Sequence, residues 1–294
     1  MIVIARKWGL MCNQIFTMGH AIAAALECGT SVLNPSFKDY ARHFIRLKDD
    51  PLCRFPARRP VPIVDACAAR LVRSPGAYLS DLIPRYHLST RVARTIRIGW
   101  HGECRLDTEP ARMHISKTWV LVLDGWQFKA PLWFDKHAGA IREFFTSLPE
   151  LEIQAAEAAK EARDGCDVLV GVHVRQGDYK EHLNGKYHYM TGEYARLMRD
   201  VSSLFAGMTV GFLVCSNAKQ DLNAFHGLHW SAGDGHMVVD LYSLAKCDFL
   251  IGPPSTFSQW ASFYGQVPLC IVRDRAMTPN LDDFAVFNTE MCQV

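Results

Sequence analysis

The sequence lacks the short motifs that identify several common classes of site. Ten cysteines are spread along its 294 residues, but none forms a C-x-x-C pair and no Cys/His spacing is typical of zinc. There is no G-x-x-x-x-G-K-[ST] string and no G-x-G-x-x-G string, which excludes a P-loop and the standard dinucleotide-binding fingerprint. No G-x-S-x-G string and no catalytic Cys/His signature is present either. The sequence therefore predicts no metal site.

Charge and hydropathy exclude further classes. The formal net charge of +2 gives no bulk electrostatic reason to expect nucleic acid or a membrane surface as partner. No apolar run approaches the ~18 residues that a membrane-spanning helix needs, and residues 1–5 predict a first strand instead of a signal peptide. Several cysteines lie in apolar runs, where a free thiol behaves as a small hydrophobic group. We therefore predict a soluble cytoplasmic protein with reduced thiols, or one that is peripheral at the membrane.

Arginine is unevenly distributed, with a concentration between residues 42 and 112. Such a run is typical of solvated helix faces and loops, which is the interpretation that we favour. The alternative is a surface that meets an anionic lipid or an anionic glycan. The arginines concerned include Arg54, Arg58, Arg59, Arg70, Arg73, Arg85, Arg91, Arg94, Arg97 and Arg105.

The first half of the chain opens with a pattern typical of a βαβ unit. A short apolar strand is followed by an alanine-rich helix that Gly29 stops, and then by a second strand. Residues 50–84 hold six prolines and predict no clear order of elements. The predicted elements of this half are strands at 2–5, 30–34, 95–99 and 119–123 and helices at 15–28 and 136–147.

The second half repeats the alternation of strand and helix more regularly. Its strands are continuous apolar runs, which indicates a parallel sheet covered on both faces. The predicted fold is α/β, with two Rossmann-like domains, 1–155 and 156–294, facing one another across a ligand cleft. The predicted strands lie at 168–174, 209–215, 248–252 and 268–272, and the helices at 149–163, 193–205, 221–225, 239–247 and 255–264.

The most informative string is Gly171-Val-His-Val-Arg-Gln-Gly-Asp-Tyr179. A buried strand places His173, Arg175 and Asp178 at and just past its carboxyl end, where an open α/β sheet binds ligands. The planar fork of an arginine binds phosphate or carboxylate through two hydrogen bonds. An Arg175–Asp178 ion pair that only locks the loop explains the residues equally well.

Two further segments place polar groups at strand ends. Ser216 and Asn217 follow the strand at 209–215, where they suit ribose or base contacts but are also ordinary turn residues. Ser255 and Thr256 open a helix after Gly252-Pro-Pro, and a helix N-terminus attracts anions. Hydroxyl groups would cap that helix in any protein. The coincidence of two anion-competent strand ends in one sheet favours an anion site.

The sequence also has no D-x-D pair, the usual carboxylate arrangement for holding Mg²⁺ or Mn²⁺ under a nucleotide-sugar diphosphate. If a diphosphate binds here, arginine and backbone N–H groups must neutralise it. We therefore expect no cofactor and no metal.

These segments together resemble a known family. Gly9-Leu-Met-Cys-Asn-Gln-Ile-Phe16 is similar to the G-x-x-x-N-Q-[LMI]-F segment of α1,2-fucosyltransferases, glycosyltransferase family 11. His173-Val-Arg-Gln-Gly-Asp-Tyr179 is similar to their H-x-R-R-G-D-Y motif, which α1,6- and protein O-fucosyltransferases share in looser form. Cys215-Ser-Asn217 and residues 240–265 resemble the second and third family motifs. The resemblance implies the two-domain GT-B fold.

The resemblance also implies residue roles. Arg175 would bind the β-phosphate and stabilise the leaving GDP, and Asp178 is a candidate base that otherwise orients Arg175. The 1–155 domain would lie on the acceptor side and the 156–294 domain would bind the GDP-sugar donor. The residues implied to bind the donor are Asn13, Gln14, His173, Arg175, Ser216, Asn217, Asp240, Ser255, Thr256 and Phe257.

The implied activity is inverting transfer of fucose from GDP-fucose to a glycan hydroxyl, with α1,2 the implied linkage. The sequence departs from the pattern at Gln176, where the family has a second arginine, and in the third motif, which reads Pro254-Ser-Thr-Phe-Ser-Gln-Trp260. The first change favours the alternative of a non-catalytic nucleotide- or glycan-binding protein on a degenerate GT-B fold. A transferase that uses another GDP-sugar is the alternative within enzymes.

Overall fold

The computed structural model describes residues 1–57, 91–99 and 102–289. Most of the proline-rich segment 50–84 and five arginines of the arginine-rich run lie outside these residues, namely Arg58, Arg59, Arg70, Arg73 and Arg85. The chain divides into two compact units, Met1–Leu148 and Pro149–Val294. The predicted boundary after residue 155 falls inside the helix Pro149–Arg163, whose buried alanine face packs on the second unit's sheet.

The first unit contains a five-stranded sheet of order β3-β2-β1-β6-β4, in which only the β2–β3 pair is antiparallel. Two further strands, β5 and β7, form a separate two-stranded parallel sheet. The strands are β1 Ile2–Ile4, β2 Val32–Leu33, β3 Arg54–Phe55, β4 Ala93–Arg97, β5 Cys104–Arg105, β6 Val120–Asp124 and β7 Phe128–Lys129. The helices are α1 Met11–Cys28, α2 Lys38–Ala41, α3 Glu109–Lys117, α4 Pro131–Lys136 and α5 Ala138–Phe144.

Helix α1 forms the core of this unit. Its run of small and apolar residues is buried on nearly every side, and Gly29 ends it in the left-handed conformation with φ 60°, as predicted. The helix begins four residues earlier than the predicted residue 15, at Met11, because Leu10 precedes it in extended conformation without any side-chain cap. Asn13 and Gln14 therefore lie in its first turn.

The second unit contains a six-stranded sheet of order β10-β9-β8-β11-β12-β13, parallel except for the last pair. Its strands are β8 Val168–Val174, β9 Val210–Ser216, β10 His229–Ala232, β11 Phe249–Gly252, β12 Pro268–Ile271 and β13 Ala285–Val286. Its helices are α6 Pro149–Arg163, α7 Thr191–Leu204, α8 Met237–Leu244 and α9 Thr256–Gly265. Short 3₁₀ helices span Asp178–Lys180, His182–Gly185, Leu222–Phe225 and Leu281–Asp283.

The central strand β8 is fully buried along its seven residues, as its unbroken apolar sequence predicts. Two predicted helices differ from the structure. The predicted helix at 136–147 is two shorter helices that meet at His137, whose φ of −103° and ψ of 18° are not helical. The predicted helix at 221–225 is the 3₁₀ helix Leu222–Phe225. In the described part of the chain, no helix combines the length and the apolar character needed to cross a membrane.

Candidate functional site

Polar side chains of the second unit gather at the carboxyl edge of its sheet. Val174, the last residue of β8, pairs with Ser216, the last residue of β9. The loops that follow these strands therefore lie side by side, which brings Arg175 and Asp178 next to Asn217. The carboxyl end of β11 enters the same edge and leads into helix α9.

The side chain of Arg175 is fixed at this edge, but its buried Nε forms no hydrogen bond with any described group. Its side chain is only 15 % exposed, and its Nη2 donates to Asp178 Oδ2 at 2.8 Å. The guanidinium lies 5.5 Å from the centre of the Tyr179 ring. Because a buried N–H of a charged group is costly to leave unbonded, the geometry favours an anionic ligand here in addition to the ion pair.

The carboxylate of Asp178 lies in the site and also stabilises the loop through its ion pair with Arg175. Burial alone would raise its pKa, but the hydrogen bond and the charge of Arg175 outweigh this, so the pKa of Asp178 lies below its ordinary value. The side chain is 56 % exposed. A carboxylate with a lowered pKa is a weak proton acceptor at neutral pH, which favours the role of orienting Arg175.

Asn217 binds the loop that carries Arg175. Its Oδ1 accepts hydrogen bonds from the backbone N–H groups of Gln176 and Gly177 at 3.0 and 3.3 Å, and its Nδ2 lies 3.4 Å from Asp178 Oδ1. A Cβ on Gly177 would lie 2.8 Å from that amide nitrogen, so a larger residue there would displace the Asn217 side chain. Asn217 thus fixes the backbone directly after Arg175.

Gln176, at the position of the second family arginine, is turned into the protein. Its Nε2 donates to the Tyr189 carbonyl at 2.8 Å, and its Oε1 accepts from Gln220 Nε2 at 2.9 Å. Ser216 is part of the same network, since its Oγ accepts from Gln220 at 2.9 Å. Gln176 and Ser216 therefore use their polar groups within the loop.

Helix α9 presents its N-terminus at the same edge. Ser255 caps it by accepting from the Phe257 N–H at 3.3 Å, as predicted, and Thr256 is the first helical residue. The Tyr179 hydroxyl donates to the Pro254 carbonyl at 2.5 Å. This bond ties the Arg175 loop to the start of the helix, so the cation and the positive end of the helix dipole lie in one place.

Residues 130–268 match the family model described as glycosyl transferase family 11. This part of the chain is similar to that family. The match confirms the predicted resemblance to the fucosyltransferase superfamily, and it contains the whole of the site just described. No curated protein matches the sequence.

Solved structures share the fold of the whole chain. A variant of FUT1 from Arabidopsis thaliana in complex with GDP is 13% identical with a TM-score of 0.61, over 97% of this chain and 73% of that one. Fucosyltransferase NodZ from Bradyrhizobium is 17% identical with a TM-score of 0.54, over 92% and 95%. NodZ α-1,6-fucosyltransferase soaked with GDP-fucose is 16% identical with a TM-score of 0.51, over 92% and 94%. These matches confirm the predicted α/β GT-B fold class.

Within the residues that match the family model, His173 is buried and uncharged. Burial and the nearby positive charge of Arg175 lower the pKa of His173 to about 3. Its ring lies 4.8 Å from that of Phe257, and its Nδ1 is buried without a hydrogen-bond partner among the described groups. A Cβ on Gly252 would lie 3.0 Å from the His173 Cβ, so any larger residue in β11 at this point would press on the histidine. The neutral ring is free to bind a polar ligand atom.

Asp240 lies in the first turn of α8, apart from Arg175. The carboxyl is 6 % exposed. Burial raises its pKa, against the lowering effect of a hydrogen bond from the Gly235 N–H at 3.2 Å. A Cβ on Gly233 would lie 2.6 Å from Asp240 Oδ1. The glycines of the β10–α8 loop thus give the backbone close access to this carboxyl.

Asn13 and Gln14 lie in the first unit, outside the residues that match the family model. Gln14 is 4 % exposed. Its Nε2 donates to the Gly9 carbonyl at 3.1 Å, and its Oε1 is buried with no partner in the described ranges. Gly9 has a φ of 64°, and a Cβ there would lie 2.2 Å from Asn13 Nδ2. The G-x-x-x-N-Q spacing is thus explained by packing in this turn.

The sequence did not single out Tyr179 as a site residue, nor did it identify Gln220. Tyr179 belongs to the H-x-R-x-G-D-Y motif, so its position directly after Asp178 is a signal that could have identified it. Gln220 has no such signal, because its contact with Gln176 spans 44 residues. No group of three or more His, Cys, Asp or Glu side chains suited to a metal ion occurs in residues 1–57, 91–99 and 102–289.

The two buried neutral histidines should make the protein sensitive to acid. Burial lowers the pKa of His20, like that of His173, to about 3. Between the ordinary value of about 6.5 and that value, the unfolded state binds protons that the folded state does not. The free energy of unfolding should therefore fall as the pH falls below 6.5, by up to about 1.4 kcal/mol per pH unit for each histidine.

Denaturant unfolding at pH 6.5, 6.0, 5.5 and 5.0 measures this slope. His20→Gln should reduce it, and His226→Gln, which changes an exposed histidine, should not. Asp240 acts in the opposite direction, because its pKa is raised. An unfolding free energy in wild type that does not change across this range would contradict the buried neutral state of the histidines.

Proposed function

We propose that the protein is an inverting fucosyltransferase that moves fucose from GDP-fucose to a hydroxyl group of a glycan. The observation that carries this proposal is the buried, unpartnered Nε of Arg175, which lies within the residues that match the family model, at the carboxyl edge of the sheet. GDP and GDP-fucose in the related folds support the choice of donor.

The positive groups of the site suit a leaving diphosphate. When the bond from the anomeric carbon to the β-phosphate oxygen breaks, its electron pair remains on the diphosphate. Arg175 and the N-terminus of α9, capped at Ser255, offer fixed positive charge where this negative charge grows. Groups that bind more strongly as the charge develops lower the barrier selectively. Thr256 and Phe257, in the first helical turn, contribute backbone N–H groups.

The nucleoside end of the donor would bind to the more apolar groups beside the arginine. His173 presents a neutral nitrogen next to the Phe257 ring, and Asp240 presents a buried carboxyl next to the glycines of its loop. We assign the guanine edge to Asp240. Ser216 and Asn217 are assigned to the loop structure, since their polar groups already bind it.

In an inverting reaction the acceptor hydroxyl attacks the anomeric carbon from the face opposite the diphosphate. The hydroxyl gives up its proton as the new glycosidic bond forms and the bond to GDP breaks. We propose Asp178 as the group that orients Arg175 for this step, because its carboxylate is already bound to the guanidinium. The α1,2 linkage is proposed from the resemblance of the motifs, with Asn13 and Gln14 as donor ligands from the first unit.

Release of GDP from GDP-fucose tests the proposed reaction. We expect slow hydrolysis without an acceptor, and faster release when galactosides are added. The anomeric configuration of the product by NMR tests inversion. If no GDP is released from GDP-fucose, with or without an acceptor, at enzyme concentrations that bind GDP, the non-catalytic alternative is supported.

The same activity should survive EDTA. The sequence has no D-x-D pair, and the proposed charge neutralisation uses Arg175 and backbone N–H groups. Rates of GDP release in excess EDTA should match those in buffer with Mg²⁺ or Mn²⁺. Loss of activity with chelator and its return with Mn²⁺ would show that the neutralisation is assigned to the wrong groups.

A further inference from the structure

A cavity in the first unit, mostly apolar in its lining but with several charged side chains, lies along β4 at the edge of the sheet. β4 pairs with β6 on one side and with no other described strand. The cavity, of about 660 Å³, lies between β4, the short strand β5 and the first half of α3. This volume is in the range of sites that bind small molecules. Arg97, at the carboxyl end of β4, is part of its wall, so the cavity reaches the edge where α/β sheets bind ligands.

Arg94 distinguishes this cavity because its positive charge faces no carboxylate. Its side chain is half-buried, and its Nη1 lies 2.8 Å from both ring nitrogens of His114. No carboxylate forms an ion pair with Arg94 among the residues that the structure describes. Arg97 and Arg105 in the same wall differ, since Asp124 and Asp107 bind them at 2.8 Å. A guanidinium remains charged at neutral pH, so the half-buried Arg94 is suited to bind an anion at this cavity.

The groups around Arg94 are suited to an oxyanion. Burial and the charge of Arg94 lower the pKa of His114, so its ring is neutral and does not compete as a cation. Glu103 is the acidic residue of the wall, and Lys129 binds it at 2.7 Å. An arginine fork and an imidazole together match the oxygens of a carboxylate or a sulfate.

We propose that this cavity binds an anionic substituent, a carboxylate or a sulfate ester, on the sugar that accepts the transferred residue. Arg94 is the principal ligand, with His114 as a hydrogen-bonding partner. The inference rests on the proposed function in one respect, namely that the bound sugar is the acceptor. It implies that the enzyme selects acidic glycans over neutral ones of the same ring size.

Matched sugars test the charge selection directly. Methyl β-D-glucuronide and methyl β-D-glucoside differ in a carboxylate, and galactose 6-sulfate and galactose differ in a sulfate ester. Titration calorimetry or ligand-observed NMR should give a dissociation constant at least tenfold lower for one acidic sugar than for its neutral counterpart, and the better of the two acidic sugars identifies the substituent. Equal dissociation constants within both pairs would overturn the proposal.

Three variants test whether Arg94 causes the preference for the acidic sugar. Arg94→Gln should abolish the preference for the acidic sugar, whereas Arg112→Gln, on an exposed position of the same helix α3 as His114, should leave it unchanged. His114→Glu places a carboxylate beside Arg94, so it should abolish the preference while the melting temperature is maintained or raised. A preference that persists in both Arg94→Gln and His114→Glu would overturn the assignment, and the His114→Glu result stands even where Arg94→Gln folds poorly.

The result is separable from the donor assignment. Binding of the acidic sugar is measured without GDP-fucose, and binding of GDP is measured without the sugar. If GDP binds and the protein discriminates within neither pair of sugars, the proposal of an anion site in this cavity is wrong, and the assignment of the donor site stands. If the acidic sugar binds through Arg94 while GDP does not bind, the proposed transferase function is wrong and the cavity remains an anion site.

Discussion

Arg175→Ala should lower kcat for GDP-fucose by ~10²-fold or more, the scale observed when one preorganised donor to a developing charge is removed. Its guanidinium is largely buried at the sheet edge, one nitrogen bound to Asp178 and another unpartnered. Such a group contributes more to the transition state than to ground-state binding. KM should therefore change less than kcat. Arg175→Lys keeps the charge but loses the planar fork, so it should also fail.

The matched control is Arg199→Ala, which removes an exposed arginine of α7 in the same unit that binds only backbone carbonyls. Its turnover should be close to that of wild type. Melting curves of all the variants should show the Arg175 variants folded. Near wild-type turnover in Arg175→Ala would remove the residue from the mechanism. Gross unfolding of that variant would instead favour a purely structural ion pair with Asp178.

Asn217→Ala should lower kcat by about tenfold, less than the loss of Arg175 itself. The variant removes the acceptor of two backbone hydrogen bonds, from Gln176 and Gly177, each worth about 1 kcal/mol. The loop would then hold Arg175 less firmly, and placement of a catalytic group within a fraction of an ångström affects the rate strongly. Because Asn217 acts through the loop, the guanidinium remains present and donor binding should weaken only slightly.

Asn217→Asp separates this positioning role from a general loss of stability. It keeps an oxygen acceptor for the two backbone N–H groups, although its second oxygen would face Asp178 Oδ1, which Asn217 Nδ2 now approaches at 3.4 Å. It should therefore recover only part of the activity that Asn217→Ala loses. Asn223→Ala changes an exposed asparagine of the same unit and serves as the control. Full activity in Asn217→Ala, measured as kcat and KM for GDP-fucose, would contradict the positioning role.

The fold could be predicted where the local pattern is long and unambiguous. The unbroken apolar run of β8 and the helix Pro149–Arg163, which has proline at its start and Asp164-Gly165 after its end, were predicted at their observed bounds. The two-residue strands β3, β5, β7 and β13 were not, because so short a segment has no periodicity. Pairing with distant partners forms them, and a single sequence does not show that pairing.

The residues of the site could be predicted from the sequence better than the contacts between them. The position of Arg175 and Asp178 after β8 follows from the strand pattern, and the structure shows the ion pair between them. The binding of Asn217 to the Gln176 and Gly177 backbone could not be predicted, since about 40 residues separate these partners. Local propensity carries no information on which side chains of two neighbouring loops meet.

The central claim is that the site in the second unit binds a guanosine diphosphate sugar. Thermal unfolding of wild type with GDP, GDP-fucose, UDP-glucose and NAD tests it most directly, with Arg175→Ala as the comparison. A ligand at a hundredfold excess over its Kd adds about 2.7 kcal/mol of stability. We expect GDP and GDP-fucose to raise the melting temperature of wild type, with a smaller shift in Arg175→Ala and no shift from the other two ligands. Stabilisation by UDP-glucose with none by GDP would contradict the account.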